Sequence, residues 1–502
     1  MNLIDLPPEL ISQVFTYLGD KDVFSGRLSH RTLDKASFDY FGRHFFRKKG
    51  FMITTPSLSA LEEIANHKQL SKFVQHVWIN PDCFTLTDHH TYHQDLGERN
   101  QAGDEDPSAD FFSPTAMFFR LQASKSRRQL QAYLDCTADY GELLKESDDG
   151  LPTLLERHLT NAFGKLPNLT TIGMRRSENH SPYGWSALQK ATGLDPRELG
   201  PLLPEVSCHL SPSSTLFIAF ISAMAQSGAQ IRRFYTDVIE LDNINPGHLP
   251  PAKLQAACSS MLYLELNIIR GQLEPSKNTT NLAPRLLDDN SQGQFGQNLV
   301  ALLDSMPNLK ELSLQTPRAR SLGHASIDGY DLETSYPYLA FHRLATETRL
   351  PHLTRIKLEK ITTTFPTFQK FLAPSAANLT SLKLRDVSLG STSSSPRPWY
   401  DLFTHLLQNS PRLGYILFYH LMHDSGGVSF VEAEPEARSA EEYVVGQAVF
   451  EKYSHITLEV EGREAVRAKL EDVREGHWFH RPLFSYAMDE EVWHTDTSDE
   501  EW

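Results

Sequence analysis

One spacing decides the fold, and it occurs in LPNLTTIGM (166–174), MPNLKELSL (306–314), LPHLTRIKL (350–358), AANLTSLKL (376–384) and SPRLGYILF (410–418). Each segment reads apolar-x-x-apolar-x-apolar, and most have a Pro-Asn or Pro-His type of lead. The same spacing first occurs at Val74, and weaker copies begin at Ile231, Met261 and Tyr453. In a β-strand alternate side chains face the same way, so the second and third apolar positions predict one buried face.

Amphipathic stretches precede three of these strands, at residues 214–227, 296–306 and 401–409. A repeated helix, short turn and strand resembles the leucine-rich repeat, whose units stack because none buries its apolar face alone. The resemblance implies an α/β fold: an irregular solenoid with a mainly parallel sheet. The alternative is a set of unrelated strands in an α/β domain.

The repeats are irregular. Successive copies start 26 to 95 residues apart, whereas a regular leucine-rich repeat has about 20–29 residues. Extra segments must therefore leave the solenoid as loops, and we assign them to residues 82–113, 178–212, 272–294, 316–342 and 390–399. We expect the first of these and the Ser-rich fifth to be mobile.

The N-terminus carries three helix-start signals. Asp5 precedes two prolines, Asp20 follows a glycine, and Ser29 precedes a third apolar series. Capping residues and prolines in the first turn are typical of helix N-termini. We therefore predict three short amphipathic helices in about 35 residues, a unit too small to bury a good core alone. Its remaining apolar surface must contact the rest of the chain or a partner.

The same segment contains a motif series: Leu6-Pro7-Pro8-Glu9-Leu10, Val14-Phe15, Tyr17-Leu18, Asp22-Val23 and Arg27-Leu28-Ser29. This series resembles the F-box, which docks an adaptor that links it to a cullin-based ubiquitin ligase of the SCF type. The resemblance covers residues 4 to about 40 and departs from the family pattern at His30 and Thr32-Leu33. Residues 41–46 resemble an extension common in F-box proteins of filamentous fungi. The alternative is an N-terminal helical cap on a larger domain.

The resemblance implies an adaptor-binding site. Its residues are Leu6, Pro7, Glu9, Leu10, Val14, Phe15, Leu18, Val23 and Leu28.

Composition excludes several function classes. The chain has 502 residues, a formal net charge of −15 and 40% hydrophobic residues. This composition is globular, and the acidic balance argues against nucleic acid or an anionic membrane as the main partner. Four cysteines without a C-x-x-C pair fit a reducing compartment, and no signal peptide or membrane span is visible. We expect a soluble protein of the cytoplasm, the nucleus or both.

No pattern of residues predicts catalysis or a cofactor. Phosphate-loop, dinucleotide-binding and nucleophile-elbow motifs are absent from the sequence. The segment DHHTYHQD (88–95) is rich in metal-ligand types, but it lacks the helical His pair of H-E-x-x-H. Exposed loop histidines are the simpler interpretation, so we predict no metal site.

Strand alternation also predicts a polar face opposite the core. It carries basic and aromatic residues, which are typical of recognition surfaces. The predicted target-binding residues are Arg175, Arg233, Tyr235, Arg355, Lys357, Lys383, Arg385 and Tyr415. We expect this face to be locally positive and suited to an acidic or phosphorylated target segment. The alternative is an ordinary solvated sheet face.

These observations predict a non-catalytic substrate receptor. Residues 1–50 form the F-box and its extension, residues 51–487 the solenoid, and residues 488–502 an acidic disordered tail. Its partners would be the adaptor, the cullin scaffold and an unknown protein target. Two alternatives remain: a scaffold that binds the adaptor without ubiquitination, and an enzyme with an unrecognised α/β site.

Overall fold

A computed structural model describes thirteen stretches of the chain: residues 3–81, 126–145, 152–175, 181–193, 212–240, 251–269, 297–316, 336–395, 397–423, 426–431, 454–455, 457–474 and 478–482. The chain divides into two compact units. Unit 1 contains residues 1–327 and 339–353, and unit 2 contains residues 328–338 and 354–502.

Unit 1 begins with three helices, as predicted: α1 (Pro8–Phe15), α2 (Asp20–Ser29) and α3 (Arg31–Phe46). None of the three predicted caps is the N-cap of its helix, since Gly19 occupies that position in α2 and Asp20 is the first residue of the helix. Asp5 lies in a single 3-10 turn before Pro7, and Ser29 is the last residue of α2. His30 caps α3 instead, because its Nδ1 accepts a hydrogen bond of 3.1 Å from the backbone N–H of Thr32.

The sheet of unit 1 contains six neighbouring parallel strands in chain order. They are β1 (Lys48–Met52), β2 (His76–Asn80), β3 (Thr171–Met174), β4 (Arg233–Glu240), β5 (Tyr263–Ile269) and β6 (Glu311–Gln315). The predicted parallel arrangement is therefore confirmed within this unit. The remaining helices are α4 (Thr55–Asn66), α5 (Arg127–Leu144), α6 (Leu154–Phe163), α7 (Trp185–Thr192), α8 (Pro212–Ser227), α9 (Pro251–Cys258), α10 (Gln297–Asp304) and α11 (Tyr336–Glu347), whose residues 339–347 belong to unit 1.

The core of unit 1 lies between these helices and one face of the sheet. Ile172, Phe234, Leu264 and Leu312 are in register on neighbouring strands and are all buried. Helix α8 packs on β4 in this row, where Phe217 stacks on Phe234 with ring centroids 5.4 Å apart. The apolar positions of the repeated spacing therefore face the core, as the sequence predicts.

Unit 2 repeats the arrangement with β7 (Arg355–Glu359), β9 (Ser381–Arg385) and β11 (Tyr415–Tyr419), which are parallel neighbours. Ile356, Leu382 and Ile416 are in register and buried. Helices α12 (Phe365–Leu372) and α13 (Pro398–Asn409) follow the first two strands.

The predicted copy of the repeat at Tyr453 is wrong. The described part of this segment, β15 (Thr457–Glu461), joins β11 in the antiparallel direction. Alternation still buries Leu458 opposite Phe418, which explains why the apolar spacing looks like a repeat. The segment REAVRAKLEDVRE (463–475), whose sequence predicts a charged helix, forms α14 (Arg463–Arg474), so this prediction is confirmed.

A second sheet in unit 2 is not predicted by the sequence. It contains β8 (Thr362–Thr364), β10 (Ser388–Gly390) and β12 (Met422–His423) in parallel, with β13 (Gly426–Val431), β14 (Ser454–His455) and β16 (Trp478–Pro482) in antiparallel pairs. Lys360, Asp386 and His420 each follow one strand of the first sheet and have positive φ angles of 58°, 53° and 49°. These three left-handed residues turn the chain from the first sheet into the second at equivalent positions.

The segment predicted as a mobile loop, 390–399, makes buried contacts in its described residues. Ser395 is buried, and its hydroxyl donates a hydrogen bond of 2.5 Å to Asp401. Trp399 is fully buried, and its Nε1 donates to the carbonyl oxygen of Met422 at 2.9 Å. The buried side chain of Trp399 anchors this segment, although the composition of the segment is typical of a loop. The other loop predicted to be mobile, 82–113, and the predicted tail at 488–502 lie outside the described residues.

Within the described residues, no helix combines the length and the apolar character needed to cross a membrane.

Substitution of Gly42 should weaken the attachment of α3. A Cβ atom at this position would lie 2.3 Å from the ring of Phe73, so Gly42→Ala should lower the free energy of unfolding by about 1–3 kcal/mol. Gly141 is the matched control, because it is also helical and a Cβ there meets no described atom within 4 Å. Gly141→Ala should be neutral or stabilising by about 1 kcal/mol. Chemical denaturation of both variants tests this, and equal effects would contradict the packing.

Candidate interaction surfaces

The N-terminal helices share a small core of their own. Ile11, Phe15, Val23 and Leu33 are buried in it, and partly buried apolar residues surround them. Two predicted adaptor residues, Phe15 and Val23, are therefore inside the module, with exposed fractions of 1% and 0%. Their assignment as partner contacts needs correction, because they hold the helices together and do not reach the surface.

The other predicted adaptor residues lie nearer the surface. Pro7, Glu9, Leu10 and Leu28 are exposed. Leu6, Val14 and Leu18 are partly buried. Leu28 is 88% exposed and Leu10 is 46% exposed.

The predicted list of adaptor-binding residues omits other apolar residues of this surface. Leu3, Ile4, Tyr17 and Phe24 are also exposed. Six of the eight large apolar side chains that are exposed in the described part of the chain therefore lie within residues 3–28. We call them the apolar cluster: Leu3, Ile4, Leu10, Tyr17, Phe24 and Leu28. The spacing of Phe24 and Leu28, one helical turn apart, is the signal that identifies them as members of one helix face.

Helix α2 is fixed against α3. Arg27 donates from Nε and Nη2 to Asp34 Oδ1, at 2.9 and 2.6 Å, and its guanidinium lies 3.4 Å from the ring centroid of Phe41. Phe24 packs on Phe41 and Phe45, with ring centroids 5.6 and 4.8 Å apart. The helix that carries Phe24 and Leu28 is thus held in one orientation.

The polar face of unit 1 carries three of the predicted target-binding residues. Arg175 lies 6.0 Å from the ring centroid of Tyr235, and Arg233 lies 4.6 Å from that of Tyr263. Tyr235 lies over Gly173, where a Cβ atom would be 2.3 Å from the ring, and its hydroxyl shares a hydrogen bond of 2.8 Å with His76 Nε2. Absence of a side chain at Gly173 is what allows this tyrosine to lie flat on the sheet.

Burial and nearby cations set the protonation of this cluster. Burial, together with the nearby cations Lys48, Arg175 and Arg233, lowers the pKa of His76 to about 3. Burial also raises the pKa of Tyr235 and of Tyr263, and Tyr263 donates to Glu265. His76 is therefore neutral and both tyrosines are protonated at neutral pH.

The polar face of unit 2 carries the other five predicted residues. Arg355 and Lys357 lie on β7, Lys383 and Arg385 on β9, and Tyr415 on β11. Lys383 Nζ lies 5.2 Å from the ring centroid of Tyr415, and the Arg385 guanidinium lies 5.0 Å from that of Tyr419. Each cation of β9 thus rests on a tyrosine of β11.

The positive charge is more local than predicted. Glu265 and Glu311 lie on the later strands of the unit 1 face, and Glu359, Glu459 and Glu461 lie on that of unit 2. In unit 2 the basic residues occupy β7 and β9, whereas β15 contributes only acidic ones. The sheet face is therefore not positive throughout, because in unit 2 a positive region on β7 and β9 lies beside a negative edge on β15.

Little in the described residues has the chemistry of a reactive group. Cys136 and Cys258 are free thiols, and burial raises the pKa of both, that of Cys258 to about 11. The search of the described residues gives no cluster of three metal-ligand side chains. The histidine-rich segment 88–95 lies outside them.

Comparisons with known proteins add no family assignment. No protein-family model matches this chain, and no curated protein matches its sequence.

His76 should make unit 1 sensitive to acid. Its pKa is about 3 in the folded state and about 6.5 when unfolded, so below pH 6.5 the unfolded state binds more protons. Stability from this residue is complete above pH 6.5 and is lost as the pH falls, by about 2 kcal/mol between pH 6.5 and 5. His76→Gln keeps a polar partner for Tyr235 and does not titrate. Denaturation at several pH values should give a shallower acid slope for this variant, and identical slopes would contradict the assignment.

Proposed function

We propose that this chain is the substrate-recognition subunit of an SCF-type, cullin-based ubiquitin ligase. The N-terminal helices bind the adaptor, and the polar sheet faces bind the protein target. The chain contributes no active site, and it acts by holding a target near the ubiquitin-loaded enzyme, since proximity alone raises reaction rates greatly.

The observation that carries this proposal is the apolar cluster. Exposed apolar surface rimmed by polar residues is typical of protein interaction sites. Five of its six members belong to the segment whose sequence resembles the F-box, and two of them, Leu10 and Leu28, are among the residues that the resemblance assigns to the adaptor. A plain helical cap would bury these side chains against its own chain.

We also propose that the repeats form a solenoid of the leucine-rich-repeat type. Three features support it: the recurring apolar spacing, the parallel strands in register within each unit, and the left-handed residues at equivalent positions in unit 2. Solenoids of this type present an extended sheet face to partners.

Substitution of the exposed leucines should separate adaptor binding from folding. Full burial of a leucine by a partner contributes about 1.5–3 kcal/mol, so Leu28→Asp and Leu10→Asp should each weaken adaptor binding by about tenfold or more. Leu28 is 88% exposed, so its substitution should leave the melting temperature unchanged. Pull-down of purified adaptor and cullin by each full-length variant measures the effect.

Tyr400→Asp is the control, because Tyr400 is another exposed apolar residue but lies on α13 of unit 2. It should retain the adaptor. Undiminished co-purification of a folded Leu28→Asp variant would overturn the proposed function. Adaptor binding without any change in target lifetime on deletion of the chain would favour the scaffold alternative.

A further inference from the structure

Four basic residues lie on two neighbouring strands of the polar face of unit 2, and Lys357 and Lys383 among them are register partners. Arg355 and Lys357 lie on β7, and Lys383 and Arg385 lie on the neighbouring strand β9. We call these four residues the cationic grid. Their neighbours in sequence, Ile356, Leu382 and Leu384, are buried on the opposite face, so alternation places all four charged side chains on one side of the sheet.

The grid contains an unfavourable pairing. Lys357 and Lys383 are direct register partners on adjacent strands, about 4.8 Å apart. Like charges directly opposite each other destabilise a sheet. Glu359, the register partner of Arg385, is shared between two lysines, because it lies 3.6 Å from Lys357 Nζ and 3.7 Å from Lys360 Nζ. Within the described residues, Lys383 and Arg385 make no ion pair, so excess positive charge remains at β9.

Tyrosine rings restrict the positions of the two cations on β9. Lys383 and Arg385 rest on Tyr415 and Tyr419, as described above. The hydroxyl of Tyr415 donates a hydrogen bond of 2.7 Å to Glu459 Oε1, which fixes one of the two rings. Cation–π contact restricts a long side chain before any ligand arrives, so less conformational entropy is lost on binding.

The grid is spread out, and this geometry indicates the ligand. Successive cations along each strand are two residues apart, which is about 6.6 Å. A single phosphate group requires several cations that converge on one point, whereas a row of separate carboxylates matches separated cations. In an extended peptide, alternate side chains face the same way with the same spacing of about 6.6 Å.

We propose that the cationic grid docks an extended segment of the target protein with aspartate or glutamate at alternate positions. This proposal names the substrate class of the receptor and therefore rests on the proposed function. The acidic segment lies on top of the face and runs along β7 and β9, since β9 already has strands on both sides, and it neutralises the Lys357–Lys383 pair.

Fluorescence anisotropy with the full-length chain tests this proposal. The probe is a fluorescein-labelled ten-residue peptide with glutamate at alternate positions and serine between them. Binding should weaken at least tenfold in the variant Lys383→Glu with Arg385→Glu. It should also weaken steadily with added salt, because the interaction is between charges. The control variant, Lys370→Glu with Arg412→Glu, changes two exposed residues of unit 2 that lie outside the strands of the face, and it should bind within twofold of the original chain.

Two further peptide probes distinguish the proposed alternating acidic ligand from other negatively charged ligands. A peptide of the same composition with its glutamates in one block should bind more weakly than the alternating peptide. A peptide with serine throughout and one phosphoserine should bind more weakly still. Preference for the phosphoserine peptide would overturn the proposal in favour of a phosphorylated target. Binding that appears only after removal of residues 488–502 would overturn it in favour of the chain's own acidic segment.

Unchanged affinity in the Lys383→Glu, Arg385→Glu variant would overturn the grid as the docking site. Adaptor pull-down with the same variant separates this failure from failure of the proposed function. If the variant still binds the adaptor but the peptides are not distinguished, only the proposed acidic ligand is ruled out. If the unsubstituted chain does not bind the adaptor, the receptor assignment itself is ruled out.

Discussion

Alternation of side chains along parallel strands is the constraint on which the rest of this structure depends. Apolar residues two positions apart enter the core, and neighbouring strands repeat them in register, as in the buried rows that contain Phe234 and Leu382. The same register must bring the intervening residues together on the other face. Buried packing therefore fixes the surface grouping of arginine, lysine and tyrosine, including the like-charge pair of Lys357 and Lys383.

A different constraint acts on the N-terminal helices. Three helices of this length have more apolar surface than their small core can bury. Phe15 and Val23 are among the residues buried in that core. Leu10 and Leu28 remain outside. The proposed receptor function follows from the different chemistry of these two surfaces. The N-terminal helices present apolar surface suited to an adaptor, and the sheets present charged and aromatic surface suited to a target.

Sequence reasoning identified the strands and helices whose residues carry periodic signals. The parallel order within each unit, the three N-terminal helices and α14 are all confirmed. Periodicity does not encode strand direction, so the antiparallel entry of β15 was missed. The second sheet was missed because its strands have two to six residues, and because Asp386 and His420 adopt left-handed geometry without being glycine. Within the candidate sites, spacing predicted which residues share a face. It did not predict which members of an amphipathic helix would be fully buried, because that depends on how α1 and α2 pack on α3.

Hydrogen–deuterium exchange of the full-length chain, with and without purified adaptor, tests the central claim most directly. The account predicts that amides within residues 8–29 gain protection when the adaptor is added, whereas amides of β3–β6 and of β7, β9 and β11 keep their exchange rates. Unchanged exchange within residues 8–29 at saturating adaptor, or protection confined to the sheets, would contradict it.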